Sequence, residues 1–311
     1  LMTDNKGWLI IGAGAIGLLW YSKLTDLKLK ATLLHRYDAD LNTLSVLDDN
    51  SVYTYELNAI SHTPARSSNI DPIQTQQFSN ILFCTKSFDL VDAYNTNKHF
   101  ICDDAVLVTL CNGMGAQQTL DSIKSNRQTL FIGTTNEGAL KLEKNAIKKT
   151  GQGDIFIGNL TDSNLPPKVL MPYYTPNIEN KLLTKLAINA VINPMTALFN
   201  VTNGNLLAPN IFPYYKACRD ELCHFLKSYH FDSNLLAKTI DAVALKTANN
   251  RSSMLQDFSA KRHTEIDFIC GHLLREATKV NQKLPIQSLL MEFIINRRDK
   301  EEEILRFKAL I

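Results

Sequence analysis

A glycine-rich turn near the start of the chain constrains the fold more than any other feature. The apolar run Trp8–Ile11 predicts a buried strand, and an amphipathic helical pattern, Ile16–Leu24, follows the turn. The intervening string fits G-x-G-x-x-G, whose glycines allow a tight turn, close approach of a pyrophosphate and close helix–strand packing. Free N–H groups at the helix start add an attraction for phosphate. The residues expected to contact a dinucleotide here are Gly12, Ala13, Gly14, Ala15, Ile16 and Gly17.

The rest of the first half alternates short apolar runs with helical patterns. Uninterrupted apolar runs are typical of strands buried on both faces, as in a parallel sheet with helices above and below. We expect the last strand or strands to be antiparallel additions at an edge. The runs that follow the glycine turn are 31–34, 81–84, 105–110, 131–134 and 155–157.

A proline-rich stretch separates this pattern from a different second half. Four prolines fall between Pro166 and Pro176, which is typical of a linker or turn. Beyond it, helical periodicity dominates over Glu179–Phe199, 214–228, 234–247, 262–280 and 286–307. The 311 residues therefore predict an α/β protein with a Rossmann domain over residues 1–175 and an all-helical domain over residues 176–311.

The end of the second strand bears on which dinucleotide is bound. NAD-specific sites usually place Asp or Glu there, bonded to the ribose 2′-hydroxyl. This strand instead ends in His35 and Arg36, and a guanidinium can bind a 2′-phosphate through two hydrogen bonds. The pattern favours NADPH, the alternative being that Arg36 is an ordinary surface arginine.

Polar residues also follow two other predicted strands. Lys86 comes after the strand around Ile81–Cys84, and Asn112 comes after the strand around Ala105–Leu110. Ligands in such folds bind at the carboxyl ends of the strands, so both residues are candidates for a site. The alternatives are a surface lysine and a simple Asn-Gly turn.

A polar stripe lies on the first helix of the second half. Lys185, Asn189 and Asn193 are spaced i, i+4, i+8 in an otherwise apolar segment, so they share one helical face. A lysine in apolar surroundings tends toward a lower pKa, which suits a proton donor near neutral pH. A partly exposed helix face is the alternative, and Pro194 is expected to kink or end the helix.

A third polar cluster covers Asn249–Asp257 and Lys261–Asp267. Ser252 or Ser253 could simply cap a helix, and Glu265 could simply form a surface ion pair. Serine hydrolase chemistry has no support, because the chain has no G-x-S-x-G elbow.

Composition excludes several other classes of function. The net charge of +2 gives no general reason to expect nucleic acid or an anionic membrane as a partner. The uncharged segment Gly7–Ser22 is too short to span a bilayer. The six cysteines form no metal-ligand spacing and are expected to be reduced thiols, so we predict no metal and a soluble cytoplasmic protein.

Taken together, these motifs resemble the ketopantoate reductase (2-dehydropantoate 2-reductase) family. The resemblance runs in order over nearly the whole chain, and the lysine–asparagine stripe and the last two strings are its specific parts. The matching strings are Gly12–Gly17, Lys86, Asn112–Met114, Gly133–Thr135, Glu137–Ala139, Lys185 with Asn189 and Asn193–Thr196, Ser252–Asp257, and His263–Asp267.

The resemblance implies NADPH-dependent reduction of 2-dehydropantoate to (R)-pantoate, on the route to pantothenate and coenzyme A. It implies a helical domain of the 6-phosphogluconate dehydrogenase C-terminal type, which could also supply a homodimer face. Lys185 is then the general acid, Glu265 orients the substrate hydroxyl, and Asn112 lies beside the nicotinamide. The implied substrate contacts are Lys185, Asn189, Asn193, Asn203, Ser253 and Glu265, with Asn250 as a weaker candidate, and the implied cofactor contacts beyond the turn are Arg36, Lys86 and Asn112.

Three positions depart from the family pattern. Cys111 replaces a common glutamine, Leu183 a frequent tryptophan, and Lys149 a histidine present in many members. These changes bear on cofactor affinity and on packing near the site. Two alternatives stay open: a reductase of another branched 2-oxo acid, and a non-catalytic NADPH-sensing protein.

Overall fold

The chain folds into two compact units. A computed structural model describes residues 7–35, 42–61, 76–160 and 164–311. The first unit contains the described residues of Leu1–Cys111 and Ala116–Lys181. The second contains Asn112–Gly115 and Leu182–Ile311. The four-residue loop Asn112–Gly115 therefore belongs to the second unit, although the segments on either side of it in sequence belong to the first.

The first unit is built on strands. They are β1 (Trp8–Ile11), β2 (Ala31–His35), β3 (Thr43–Asp48), β4 (Ser51–Glu56), β5 (Ala59–Ser61), β6 (Phe78–Phe83), β7 (Ile101–Thr109), β8 (Thr129–Thr135), β9 (Gly138–Glu143), β10 (Ala146–Gly151) and β11 (Ile155–Gly158). In the described part of this unit they are accompanied by the α-helices α1 (Ala15–Asp26), α2 (Leu90–Thr96) and α3 (Ala116–Ile123).

Seven strands form the main sheet, in the order β11-β8-β7-β6-β1-β2-β5. All neighbours are parallel except β11, which pairs antiparallel with β8 at the edge. All four residues of the central strand β1 are buried, as in a sheet that is covered on both faces. The α/β class and the antiparallel edge strand are therefore confirmed.

A second, four-stranded sheet in the order β4-β3-β10-β9 was not predicted. Its outer strands β4 and β9 are exposed along most of their length, and β10 carries Lys148 and Lys149. Because only one face of this sheet is buried, its strands do not show the continuous apolar runs that mark the main sheet. Its inner residues join the core formed by β1 and α1.

The second unit is helical, as predicted. Its elements are α4 (Ile178–Phe199, from Leu182 onward), α5 (Phe212–Phe225), α6 (Ser233–Lys246), α7 (Ser253–Ser259), a π-helical turn (Asp267–Gly271), α8 (His272–Lys279), α9 (Pro285–Asn296) and α10 (Lys300–Lys308). Among the described residues, α4 alone is long and apolar enough to cross a membrane, and 72% of its most apolar window is buried inside the protein.

Pro194 does not end the helix, because α4 continues to Phe199, and a kink at this position stays a prediction. Proline cannot donate to the carbonyl four residues earlier, which belongs to Ala190. The side chain of Gln287 supplies a donor instead, because its Nε2 donates to the Ala190 carbonyl at 3.4 Å. Gln287 is fully buried, so a side chain from another helix satisfies the acceptor that the proline leaves.

Two predicted helices are also shorter than expected. The pattern over 262–280 becomes helical only at Ile266, and residues 262–265 form a non-helical segment. The pattern over 286–307 is two helices, because Arg297 adopts a left-handed φ of +48° and Asp299 caps α10 through the N–H groups of Glu301 and Glu302. In both places local backbone geometry interrupts an apolar periodicity that continues in sequence.

Candidate active site

The glycine turn has the geometry of a phosphate cradle. Gly12 adopts a φ of +113°, and a Cβ there would lie 2.7 Å from the backbone carbonyl of Cys84. A Cβ on Gly17 would collide with the Gly12 carbonyl oxygen. A Cβ on Gly14 would meet nothing within 4 Å, and α1 starts directly after it with no side-chain cap. The turn thus leaves backbone N–H groups beside open space, which fits a dinucleotide pyrophosphate.

The carboxyl ends of neighbouring strands line the same edge of the sheet. Ile11 pairs with Leu34 on β2 and with Phe83 on β6, so the residues that follow these three strands are neighbours. His35 ends β2, and the half-buried Lys86 precedes a short 3-10 helix after β6. Arg36, the residue expected to discriminate NADPH from NADH, lies outside the described residues.

One face of α4 carries the predicted polar stripe. Lys185 and Asn189 are half-buried, while Asn193 is buried. Their neighbours Leu186, Ala190 and Val191 are buried in the helical core. The stripe therefore presents an ammonium and carboxamides on a helix whose other faces are apolar, which suits recognition of a small polar ligand.

The loop Asn112–Gly115 brings a further candidate residue into the helical unit. Asn112 Nδ2 donates to Glu265 Oε2 at 3.1 Å, and the backbone N–H of Met114 donates to the Phe268 carbonyl at 2.8 Å. Gly113 has a φ of +74°, and a Cβ there would collide with the backbone carbonyl of Phe268. The Asn-Gly pair is thus more than a surface turn, because it fits against the segment that carries Glu265.

Glu265 is buried and does not lie on the protein surface. Only 4% of it is exposed, and its backbone carbonyl accepts from the N–H groups of Phe268 and Ile269 at the start of the π-helical turn. Such π turns are rare and often occur at functional sites. A buried carboxylate that already accepts from Asn112 is suited to holding a substrate hydroxyl.

The two serines of the third cluster differ in environment. Ser252 is buried, caps α7 through the Leu255 N–H at 3.0 Å, and lies 2.7 Å from Thr196 Oγ1 on α4. Ser253 is the exposed first residue of α7. The capping role therefore belongs to Ser252, and Ser253 is available to a ligand.

Asn203 is held by its neighbours in the helical unit. Its Nδ2 donates to Thr247 Oγ1 at 2.9 Å, and its backbone N–H donates to the Asn250 carbonyl at 3.0 Å. Its buried Oδ1 has no hydrogen-bond partner among the described residues. An acceptor left over in this way makes Asn203 a candidate for contact with a donor group on a ligand.

Sequence reasoning did not find two features of these sites. It did not pair Asn112 with Glu265, because 153 residues separate them. It also did not single out Lys141, whose Nζ donates to the Ala13 carbonyl in the glycine turn at 2.6 Å. No motif surrounds Lys141 in the sequence. Within the part of the chain that the structure describes, no group of three or more His, Cys, Asp or Glu could hold a metal ion.

The site residues allow a specific kind of chemistry. The helical unit offers an ammonium for a developing oxyanion, carboxamides for oxygen atoms, and a buried carboxylate for a hydroxyl. The sheet unit offers a dinucleotide cradle. An electrophilic carbonyl compound with a hydroxyl group matches the first set, and a nicotinamide dinucleotide matches the second.

Comparison with known proteins places the chain in a family. The model described as ketopantoate reductase PanE/ApbA matches residues 8–162, and the model for the C-terminal part of that family matches residues 177–298. The 2-dehydropantoate 2-reductase of Yersinia pestis is 29% identical over 312 residues, covering 95% of this chain and 96% of that protein.

Solved structures agree with this placement. The crystal structure of a probable 2-dehydropantoate 2-reductase from Bacillus subtilis has a TM-score of 0.74 and 26% identity, covering 94% of this chain and 99% of that chain. D-mandelate dehydrogenase with NADH and anilino(oxo)acetate has a TM-score of 0.81, 18% identity and coverage of 95% and 99%, which shows a shared fold. The family models match both units of the chain, and this protein therefore belongs to the ketopantoate reductase PanE/ApbA family of oxidoreductases.

Proposed function

We propose that this protein reduces 2-dehydropantoate to (R)-pantoate, with NADPH as the hydride donor and Lys185 as the proton donor. One observation carries the proposal: family models for ketopantoate reductase match residues 8–162 and 177–298. Relatives named 2-dehydropantoate 2-reductase that match nearly end to end support it further. The reaction belongs to pantothenate and coenzyme A biosynthesis, and its product is a precursor of both.

A nicotinamide cofactor suits the glycine turn, and the NADH-bound D-mandelate dehydrogenase of the same fold supports this choice. We assign NADPH rather than NADH because, in the sequence, His35 at the end of β2 is followed by Arg36 and not by an acidic residue. Gly12–Gly17, Arg36, Lys86 and Asn112 would hold the cofactor. When bound, NADPH supplies a hydride to the carbonyl carbon of the substrate.

The protein's own groups handle the rest of the chemistry. As the carbonyl carbon is reduced, negative charge develops on its oxygen, and the Lys185 ammonium stabilises that charge and donates a proton. Glu265 would accept a hydrogen bond from the substrate hydroxyl, and its bond to Asn112 holds the carboxylate in one orientation. Asn189, Asn193, Asn203 and Ser253 would contact the remaining polar groups of the substrate.

Lys185→Met tests this assignment against a matched variant on the same helix. Lys181 lies one turn earlier, is exposed, and packs its ammonium 4.4 Å from the centre of the Phe156 ring. We expect Lys185→Met to lower kcat by about 10²- to 10⁴-fold with an unchanged Kd for NADPH. Lys181→Met should leave kcat unchanged. Full turnover in Lys185→Met would remove Lys185 from the role of general acid.

NADPH preference has its own test at Arg36. Arg36→Ala should weaken NADPH more than NADH, by about 2 kcal/mol for a lost charge-assisted contact. Fluorescence titration measures the dissociation constants for NADPH and NADH separately, and so shows which nucleotide is weakened more. If both nucleotides weaken equally, Arg36 has no part in cofactor choice.

Two alternative functions are distinguished by activity measurements. A reductase of another branched 2-oxo acid would oxidise NADPH faster with that acid than with 2-dehydropantoate. A non-catalytic NADPH-sensing protein would bind NADPH and turn over no 2-oxo acid at all. The presence of Lys185 and of the buried Glu265 favours an enzyme, because a sensor needs no proton donor.

Assembly and location stay predictions. We expect a small-molecule substrate, no nucleic acid and no membrane as partners, a cytoplasmic location, and a homodimer formed through the helical unit. Sedimentation equilibrium of the purified protein checks the homodimer, and a monomer at micromolar concentration would contradict it.

A further inference from the structure

A lysine on the second sheet reaches the glycine turn of the main sheet. Lys141 lies on β9, and its partner in the β9–β10 ladder is Ile147, which is fully buried in the core. Directly paired residues of an antiparallel ladder share a face, so Lys141 lies on the same face of the sheet as Ile147, although its own side chain is exposed. The side chain of Lys141 can therefore be reached by a ligand from solvent.

The ammonium of Lys141 ends at the turn. Its Nζ donates to the Ala13 carbonyl at 2.6 Å, and Ala13 lies between the two glycines that would approach the cofactor. A lysine ammonium has three donors, so two remain for another ligand. Among the described residues Lys141 forms no salt bridge, whereas Lys149 on β10 pairs with Asp48 at 2.8 Å. The charge of Lys141 is therefore available to an anion.

This ammonium also lies near the end of β2. The register of β1 and β2 pairs Ile11 with Leu34, so the turn at Gly12 begins beside His35. Burial lowers the pKa of His35, and the positive charges of Lys141 and Lys144 lower it further. The end of the second strand is where dinucleotide-binding folds distinguish a ribose 2′-hydroxyl from a 2′-phosphate.

We propose that Lys141 is a cofactor-binding residue whose ammonium contacts the 2′-phosphate of NADPH. The inference rests on the proposed use of NADPH by this chain. It assigns part of the cofactor preference to the second sheet, which supplies a cation to the ribose end of the site from more than one hundred residues after the glycine turn. The bond to Ala13 holds the ammonium in place before the nucleotide arrives, so less side-chain freedom is lost on binding.

The test measures dissociation constants of the purified full chain for NADPH and NADH by fluorescence titration. Lys141→Met keeps the length of the side chain and removes the charge. We expect its Kd for NADPH to rise about tenfold or more, as for a lost charge-assisted hydrogen bond, with a much smaller change for NADH. Lys141→Arg keeps a cation in this position and should retain most of the NADPH affinity.

Lys148→Met is the matched control. Lys148 is exposed on β10 in register with Leu47 and Leu140, on the face of the sheet opposite to that of Ile147. Lys148→Met removes the same charge from the same hairpin. Its dissociation constants for NADPH and NADH should both stay within about twofold of the wild type. Thermal unfolding of all variants shows that differences in Kd do not come from loss of folded protein.

The outcomes separate this inference from the proposed function. A wild-type protein that does not prefer NADPH to NADH contradicts the proposed cofactor. A wild type that prefers NADPH, with Lys141→Met weakening both nucleotides equally or neither, overturns only the role of Lys141. Equal weakening would indicate a contact with the pyrophosphate, which both nucleotides carry.

Discussion

Asn112 donates a hydrogen bond from its carboxamide to the carboxylate of Glu265, with 3.1 Å between Nδ2 and Oε2. The two residues are 153 positions apart, and the loop that carries Asn112 belongs to the helical unit. A neutral carboxamide can orient a carboxylate without neutralising it. This bond therefore leaves Glu265 able to accept from a substrate hydroxyl.

Removing that donor should destabilise the helical unit. Asn112→Ala leaves a buried carboxylate with one donor fewer, which we expect to cost about 1–3 kcal/mol of unfolding free energy. Urea denaturation measures the loss. Asn112→Asp should cost more at pH 7, because it places a second carboxylate beside that of Glu265. Equal stability of both variants at pH 7 would contradict this account.

The two neighbouring serines should separate stability from substrate binding. Ser252→Ala removes the cap of α7 and the contact with Thr196, and we expect it to lose about 1–2 kcal/mol of stability. Ser253→Ala changes an exposed side chain, so it should leave stability unchanged and raise KM for the substrate. Thermal melts and steady-state kinetics on both variants test this, and a destabilised Ser253→Ala would count against it.

The glycine turn allows a variant that folds but binds poorly. Gly14 has an extended backbone that any residue adopts, and its Cβ would enter open space. Gly14→Val should keep its melting temperature and weaken NADPH and NADH alike, by about tenfold or more, because the side chain occupies the space that a pyrophosphate needs. Gly12→Ala should instead lose stability, since its φ is +113° and Cys84 is too close. Full nucleotide affinity in Gly14→Val would place the pyrophosphate elsewhere.

A double-mutant cycle can test whether Gln287 compensates for the backbone N–H that Pro194 lacks. Gln287→Leu should lose about 1 kcal/mol of stability, because the Ala190 carbonyl then lacks its donor. Pro194→Ala restores a backbone N–H for that carbonyl, so it should recover stability in the Gln287→Leu background more than in the wild type. Urea denaturation of the four proteins measures the coupling, and additive effects would show that Gln287 does not compensate for the proline.

His272 should make stability depend on pH. Burial lowers its pKa, as do the charges of Arg275 and Lys279, while Glu276 opposes them. The unfolded chain therefore binds more protons than the folded one below about pH 6.5, and the unfolding free energy should fall as the pH is lowered from there toward the folded-state pKa. His272→Gln cannot be protonated, so its unfolding free energy should change less between about pH 7 and pH 5. Identical pH dependence in both proteins would contradict the shift.

Much of this protein was predictable from its sequence because the signals are local. The glycine turn, the buried strands and the Lys185, Asn189, Asn193 stripe each depend on residues within a few turns or one strand of one another. The motifs also identified the ketopantoate reductase family, which the family models confirm. Local periodicity was weaker where one face of a sheet is exposed, and the second sheet was missed for that reason.

Tertiary structure decided what depends on residues distant in sequence. Gln287 lets α4 continue past Pro194, Glu265 gains Asn112 as a donor, and Lys141 reaches the glycine turn from another sheet. Each of these contacts satisfies a polar atom that its own segment leaves open, by a donor supplied from elsewhere in the fold. Periodicity and spacing in the sequence indicate only which face of a segment is apolar. They cannot reveal which distant side chain forms a hydrogen bond with a polar atom of that segment.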